Sequence, residues 1–394
     1  MAFRAALDFI GVCSASIRGR EELRVVKGPA TRLVTGTRNA YFPPEMSRSI
    51  ESKKPLKMVT CAGCGAKVFI SGDLAPLATV PCTKCEHPLM MPLRLRQFEL
   101  LSAIASGGMG TVYRAFDTTL EREVAVKLMR QELAEDPQAL ESFYREARAC
   151  AALNHTNIIH IYTFDESNGH RYLVMELADC GSLDGRIELE QRLPELGVLD
   201  IGIKVASALD TALKHDLLHR DIKPGNILFN ADGEPKLVDF GLARKIESDT
   251  PEETVWGTPY YIAPEKIKRE REDFLSDMYS LAGTLYHALT GHVPFEARSS
   301  HLDQQQQIDE IIAAHIHTPL TPPNHVVPEV TQPTSDALVK AMAKSPSDRF
   351  QSYDEFIMAL TTARSQYLVQ HFRNQNRGGA GGDRPTGVRG WWRR

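Results

Sequence analysis

The spacing of apolar residues changes character along the chain. The segment "REVAVKLM", residues 122–129, alternates apolar and polar positions around Val124 and Val126 and predicts a strand. "DPQALESFYREARACAAL", residues 136–153, has helical spacing, an acidic start at Asp136, and Pro137 at an early position where its missing N–H costs no helical bond. "RYLVMEL", residues 171–177, reads as a buried strand, and helical patterns dominate from Val198 onward. A domain that starts strand-rich and ends helix-rich is of the α+β class. No run approaches the roughly 18 apolar residues a membrane helix needs, so a soluble, cytoplasmic protein without a membrane span is expected.

A length of 394 residues allows one large two-lobed domain plus a small module. The large domain occupies residues 98–364, its strand-rich part about 98–177 and its helix-rich part about 180–364. Four of the seven cysteines mark a module over 58–93. Residues 1–57 form an Arg-rich, weakly patterned leader expected to be disordered; the apolar stretch near its start is broken by Asp8 and does not read as an export signal. Residues 371–394, rich in Gly and Arg, are expected to be a flexible tail that carries Trp391 and Trp392 at its end.

The net charge of -4 hides an uneven distribution: residues 1–97 carry 15 Lys and Arg against 7 Asp and Glu, residues 98–370 carry 25 against 42, and residues 371–394 carry 6 against 1. An acidic centre argues against a nucleic-acid cleft there, because phosphate backbones are bound by cationic surfaces.

Candidate chemistry lies in the large domain. Ile104, Ala105, Ser106, Gly107, Gly108, Met109, Gly110, Thr111 and Val112 follow the phosphate-covering pattern G-x-G-x-x-G-x-V, except that Ala105 stands where the first glycine belongs. Lys127, at the end of "VAVK", is placed to meet nucleotide phosphates if Glu146 on the following helix holds its flexible stem. "HRDIKPGNILF", residues 219–229, puts Asp221, Lys223 and Asn226 on one loop, and "DFG" follows at residues 239–241. Phosphoryl transfer needs a carboxylate beside the attacking hydroxyl, a cation on the migrating group and oxygen ligands for magnesium. Asp221, Lys223, Asn226 and Asp239 offer these in order.

With these motifs in chain order, and with "GTPYYIAPE" (257–265), "SDMYSLAGTLY" (276–286) and "PSDRF" (346–350) after them, the region from about 98 to 364 resembles the Hanks-type, or eukaryotic-like, protein kinases of the bacterial serine/threonine branch. The resemblance implies the bilobal protein-kinase fold, with a small β-rich lobe before a larger α-helical one. It implies ATP with Mg2+ or Mn2+ as cofactors, and protein serine or threonine hydroxyls as substrate, the latter from Lys223 and Thr258. It further implies Asp221 as catalytic base, Lys127 as phosphate anchor paired with Glu146, and Asn226 and Asp239 as metal ligands. Arg220 would link the catalytic loop to the activation segment, where Ser248, Thr250 and Thr254 are candidate regulatory phosphosites. Asp277 would brace the catalytic loop, and Glu265 and Arg349 would form a buried ion pair. The adenine would lie between Val112 and Ala125, near Met175, Glu176, Leu177 and Ala178. The alternative reading is a kinase-shaped scaffold without activity, and its one support is Ala105. A left-handed Ala105 would cost roughly 1 to 2 kcal/mol, and an extended one almost nothing.

Cys61, Cys64, Cys82 and Cys85 form a C-x2-C, 17-residue, C-x2-C arrangement in which two tight knuckles offer four thiolates to one tetrahedral ion. Such a module resembles zinc ribbons. Zn2+ is the expected metal, with an iron centre as the alternative, and His87 is a spare ligand that a full thiolate set does not need. A closed site of this kind is structural, and what the module binds stays open: protein docking or autoregulation is favoured over nucleic acid, since residues 58–97 hold only four basic residues against two acidic ones.

Overall fold

The computed structural model describes residues 56–61, 63–240, 244–245, 259–297 and 303–378, with side chains as far as 372. It divides into two compact units between Met91 and Pro92. In the first, strands β1 (Leu56–Thr60) and β2 (Lys67–Ser71) form one antiparallel hairpin, and β3 (Thr79–Pro81) and β4 (Pro88–Met90) form another. Each hairpin turn carries one of the two cysteine knuckles. The core beneath them is small: Val68, Ile70, Leu89 and Met91 pack around the buried Cys61 and Cys82. A unit of this size rarely holds together by apolar burial alone.

The second unit opens with a six-stranded antiparallel sheet in the order β5-β6-β7-β8-β10-β9. Its strands are β5 (Leu93–Leu95), β6 (Phe98–Ser106), β7 (Gly110–Asp117), β8 (Arg122–Met129), β9 (Ile161–Ser167) and β10 (His170–Met175). Helix α1 (Pro137–Ala151) starts where the Asp136 side chain accepts the N–H of Gln138. Its Phe143 and Ala147 pack onto Met129 and Leu173 of the sheet.

The rest of the unit is mostly helical. Helices α2 (Leu183–Glu190) and α3 (Glu195–Lys214) come first, followed by two small two-stranded sheets that carry the functional loops: β11 (Leu217–Leu218) pairs with β14 (Arg244–Lys245), and, between them in the chain, β12 (Ile227–Phe229) with β13 (Pro235–Leu237). Then come α4 (Pro264–Ile267), α5 (Phe274–Thr290), α6 (Gln304–His317), α7 (Pro323–Val326), α8 (Gln332–Ala341) and α9 (Tyr353–Gly378). Helices α3 and α5 form the centre of the core with Val205, Leu209, Met278, Leu281 and Leu285. They approach closely because position 202 is glycine: a Cβ there would lie 2.7 Å from a methyl of Leu285.

Two boundaries differ from the sequence-based expectation. The cysteine module was expected to reach residue 93, but Leu93 and Leu95 are buried on one face of β5, which pairs with β6 in the six-stranded sheet. The flexible tail was expected from 371, yet α9 continues to Gly378, since residues 353–377 contain neither proline nor glycine to stop it. Residues 379–394, and with them Trp391 and Trp392, lie outside the described residues, as does most of the leader.

Candidate active site

The glycine-rich segment is the hairpin between β6 and β7. Ala105 pairs with Val112 and Ser106 with Thr111, and the Gly107 N–H donates to the Gly110 carbonyl at 2.9 Å. Ala105 lies within β6 and is absent from the residues of positive φ, so its methyl group sits on extended backbone at no cost. The glycine this loop cannot lose is Gly110, because a Cβ there would come within 2.3 Å of the Leu128 carbonyl oxygen on β8.

Strand β8 also delivers Lys127. Its Nζ donates to both oxygens of Glu146 on α1, at 2.7 and 2.6 Å. Both side chains are largely buried. Burial works against the lysine's charge, but the carboxylates of Glu146 and Asp239 outweigh it and raise its pKa. The ammonium is thereby kept charged and held still.

The loop after β11 gathers the remaining groups. Lys223 Nζ donates to Asp221 Oδ2 at 2.7 Å, and Asn226 Nδ2 donates to the same oxygen at 3.0 Å and to the Asp221 carbonyl at 2.7 Å. From below, Asp277 on α5 accepts the N–H groups of His219 and Arg220 at 2.7 and 2.8 Å. Two buried backbone donors are thus satisfied by one carboxylate, and the loop is fixed to the core helix. Arg220 and Asp239 both have left-handed backbones, with φ of 67° and 66°. The Arg220 Nε is buried with no hydrogen-bond partner among the described residues. Thr250, Thr254, Thr258 and Ser248 fall outside the described residues.

At the junction of sheet and helices, Ala125 and Ala178 are buried, and Met175, Glu176, Leu177 and Val112 are half-buried. The Glu176 N–H donates to the His160 carbonyl at 2.8 Å. Further on, Glu265 and Arg349 form a fork, with Arg349 Nη1 and Nη2 each 2.7 Å from a Glu265 oxygen and Ser276 Oγ donating to Oε1 at 2.6 Å. Burial would raise the Glu265 pKa, but the guanidinium wins and holds it below its usual value.

Three contacts were not foreseen from the sequence. The Lys236 ammonium on β13 is buried and lies 2.5 Å from Glu176 Oε1, which anchors the junction segment. Arg114 of β7 pairs with Asp179 just beyond that segment. His219 is fully buried: its Nδ1 accepts the Asp221 N–H, its Nε2 faces the Val238 carbonyl at 3.0 Å, and its ring packs on Phe240 at 4.6 Å between centroids. A buried lysine flanked by Pro235 and Leu237 was the one available signal for the first; Arg114–Asp179 and the His219 contacts to Val238 and Phe240 are long-range pairings that no local pattern encodes.

In the first unit the four cysteine sulfurs all lie within 4.8 Å of one another. Cys61 and Cys85 are 3.6 Å apart and Cys64 and Cys82 are 3.9 Å apart. A tetrahedral site with Zn–S bonds of about 2.3 Å has S···S edges of about 3.8 Å, so the donor set fits a zinc ion. A disulfide would need about 2.05 Å. The two knuckles repeat one another: Cys61 N–H donates to the Ala66 carbonyl and Cys82 N–H to that of His87, both at 2.8 Å, and Gly65 and Glu86 follow each pair with φ of 68° and 62°. The Lys84 N–H points at Cys82 Sγ at 3.4 Å and is the leading cause that holds this thiol down to about 7. His87 packs against Gly63 and lies outside the sulfur cluster.

Comparison with known proteins agrees with this geometry. Residues 98–360 match the protein kinase domain family, and the chain belongs to that family. It is 35% identical over 263 residues to a probable serine/threonine-protein kinase of Clostridium perfringens, covering 66% of this chain and 37% of that one. It is 33% identical over 269 residues to serine/threonine-protein kinase PrkC of Bacillus subtilis, covering 68% and 40%. Against serine/threonine-protein kinase PknL of Mycobacterium tuberculosis the figures are 36% over 266 residues, 67% and 64%. The first of these matches cover about two fifths of the relatives' own length. Among the described residues no helix is long and apolar enough to cross a membrane.

Proposed function

We propose that the chain is a serine/threonine protein kinase that moves the γ-phosphoryl group of ATP to hydroxyls of protein substrates, and that it works in the cytoplasm. The observation that carries this reading is the closed Lys127–Glu146 ion pair, within reach of the Asp239 charge, together with a loop where Lys223 and Asn226 both bond to Asp221. The cluster of Asp221, Asp239 and Glu146 against Lys127 and Lys223 leaves one negative charge in excess, which suits a divalent cation. Asn226 and Asp239 would hold magnesium or manganese, which shields charge on the ATP phosphates when bound. Lys127 orients the phosphates, and the glycine-rich hairpin, from Ile104 to Val112, covers them. Asp221 takes the proton of the substrate hydroxyl as it attacks, and Lys223, 2.7 Å away, neutralises charge on the migrating group.

Ala125, Val112 and residues 175–178 hold the adenine. A phosphate on Thr250 or Thr254 would find the Arg220 Nε, which has no partner among the described residues, and switch the enzyme on. Thr258 lies in the segment that would read the substrate. In the first unit, Cys61, Cys64, Cys82 and Cys85 hold a structural Zn2+, and the ribbon docks a protein partner.

Purified chain incubated with labelled ATP, magnesium and a general protein substrate should transfer label, and Asp221→Ala should lower the rate by about 10² to 10⁴. Equal label with both proteins would overturn the assignment and favour a scaffold.

A further inference from the structure

Helices α8 and α9 leave a groove of about 510 Å3 on the helical half, lined by Ala337, Phe350, Met358 and Ala359. Met358 stands 65% exposed at its edge. Two carboxylates, Asp336 and Glu355, flank the groove, and neither has a cationic partner among the described residues: Asp336 accepts from Gln332 and Glu355 from the Gln351 N–H. Lys340 also lines the groove, with its ammonium 4.3 Å over the Phe350 ring, so the open apolar part is Ala337, Met358 and Ala359 and the rim carries two carboxylates against one ammonium.

The sequence supplies a matching segment on the same chain. Residues 389–394, "RGWWRR", pair two indoles with three arginines, and a glycine-rich stretch at 378–382 joins them to the end of α9. Trp391 lies thirteen positions beyond Gly378. At up to about 3.5 Å each they span at most about 45 Å, whereas the way back along α9 to Met358 is about 30 Å at 1.5 Å per residue. A tether of this length keeps the segment at a high effective concentration over the groove.

We propose that the groove between α8 and α9 is the docking site of the chain's own 389–394 segment, with Trp391 or Trp392 laid against Met358 and Ala359 and the flanking arginines on Asp336 and Glu355.

The test uses the full chain carrying Trp256→Phe, which leaves Trp391 and Trp392 as its only tryptophans. Their emission should be shifted to shorter wavelength, and acrylamide quenching should be about half as strong as in a synthetic peptide of residues 384–394, as burial of one of the two indoles requires. Met358→Arg and the separate charge reversal Glu355→Arg, both at exposed positions, should return quenching toward the peptide value. A fluorescent form of the peptide should bind the Trp391→Ala/Trp392→Ala chain and not the intact one. Peptide-like quenching in the intact chain, no response to either groove variant, or protection that appears only as the chain self-associates would overturn the proposal. The last outcome would assign the groove to a second copy.

Discussion

A methyl group at position 105 and one at position 110 have opposite consequences, although both positions belong to the same loop. Ala105→Gly should change the KM for ATP by less than about twofold, since the alanine already sits on unstrained extended backbone. Gly110→Ala must push β7 away from the Leu128 carbonyl and should raise that KM by tenfold or more, a loss of about 1.4 kcal/mol; steady-state kinetics on both variants measure the contrast. The Glu265–Arg349 fork makes a different claim. Removing either partner strands a buried charge, so Arg349→Met should cost about 3 to 5 kcal/mol in urea unfolding, while its effect on nucleotide affinity stays small. At this scale the sequence was most legible where a motif fixes both residue type and spacing: Lys127 bonds to Glu146, and Asn226 bonds to Asp221. It was silent on Lys236 and Arg114, whose partners Glu176 and Asp179 lie 60 and 65 positions away in the chain.

Elements were readable where pattern and punctuation agree. The alternation over 122–129 coincides with β8, and α1 begins one residue after the capping Asp136. Strand β5 was missed because three residues are too few to show a period, and the length of α9 was missed because compositional bias in the tail masked a run free of helix breakers. Helix α6 carries a group with a pH signature. His315 is fully buried, accepts from or donates to Tyr279 Oη at 2.9 Å, and has Lys344 Nζ on its own carbonyl at 2.7 Å. Burial, helped by the Lys344 charge, drives its pKa down to about 3. The folded state therefore keeps this ring neutral, whereas the unfolded chain takes up a proton near pH 6.5. Stability from this group is complete above that pH and declines as pH falls toward the folded value, by up to about 1.4 kcal/mol per pH unit. Urea midpoints measured from pH 7 to 5 should fall more steeply for the native chain than for His315→Gln.

For the molecule as a whole, the two units rest on different physics. The second buries a continuous core around α3 and α5, whereas the first has a few apolar side chains and four clustered thiols. The purified chain should contain one zinc per molecule, and a strong chelator should release it and expose four cysteines to a thiol reagent, leaving Cys150 buried. The spacing of the four cysteines made their clustering plain from sequence alone; the repeated hydrogen bonds of the knuckles were not, since they depend on backbone angles at Gly65 and Glu86.

The left-handed backbone of Asp239 has one further outcome. Glycine adopts that conformation freely, so Asp239→Gly should leave the unfolding free energy measured in urea unchanged or raise it by up to about 1 kcal/mol, while phosphate transfer disappears. A screen of this chain for heat resistance alone would then favour a dead enzyme, and only a paired screen for turnover would recover the aspartate.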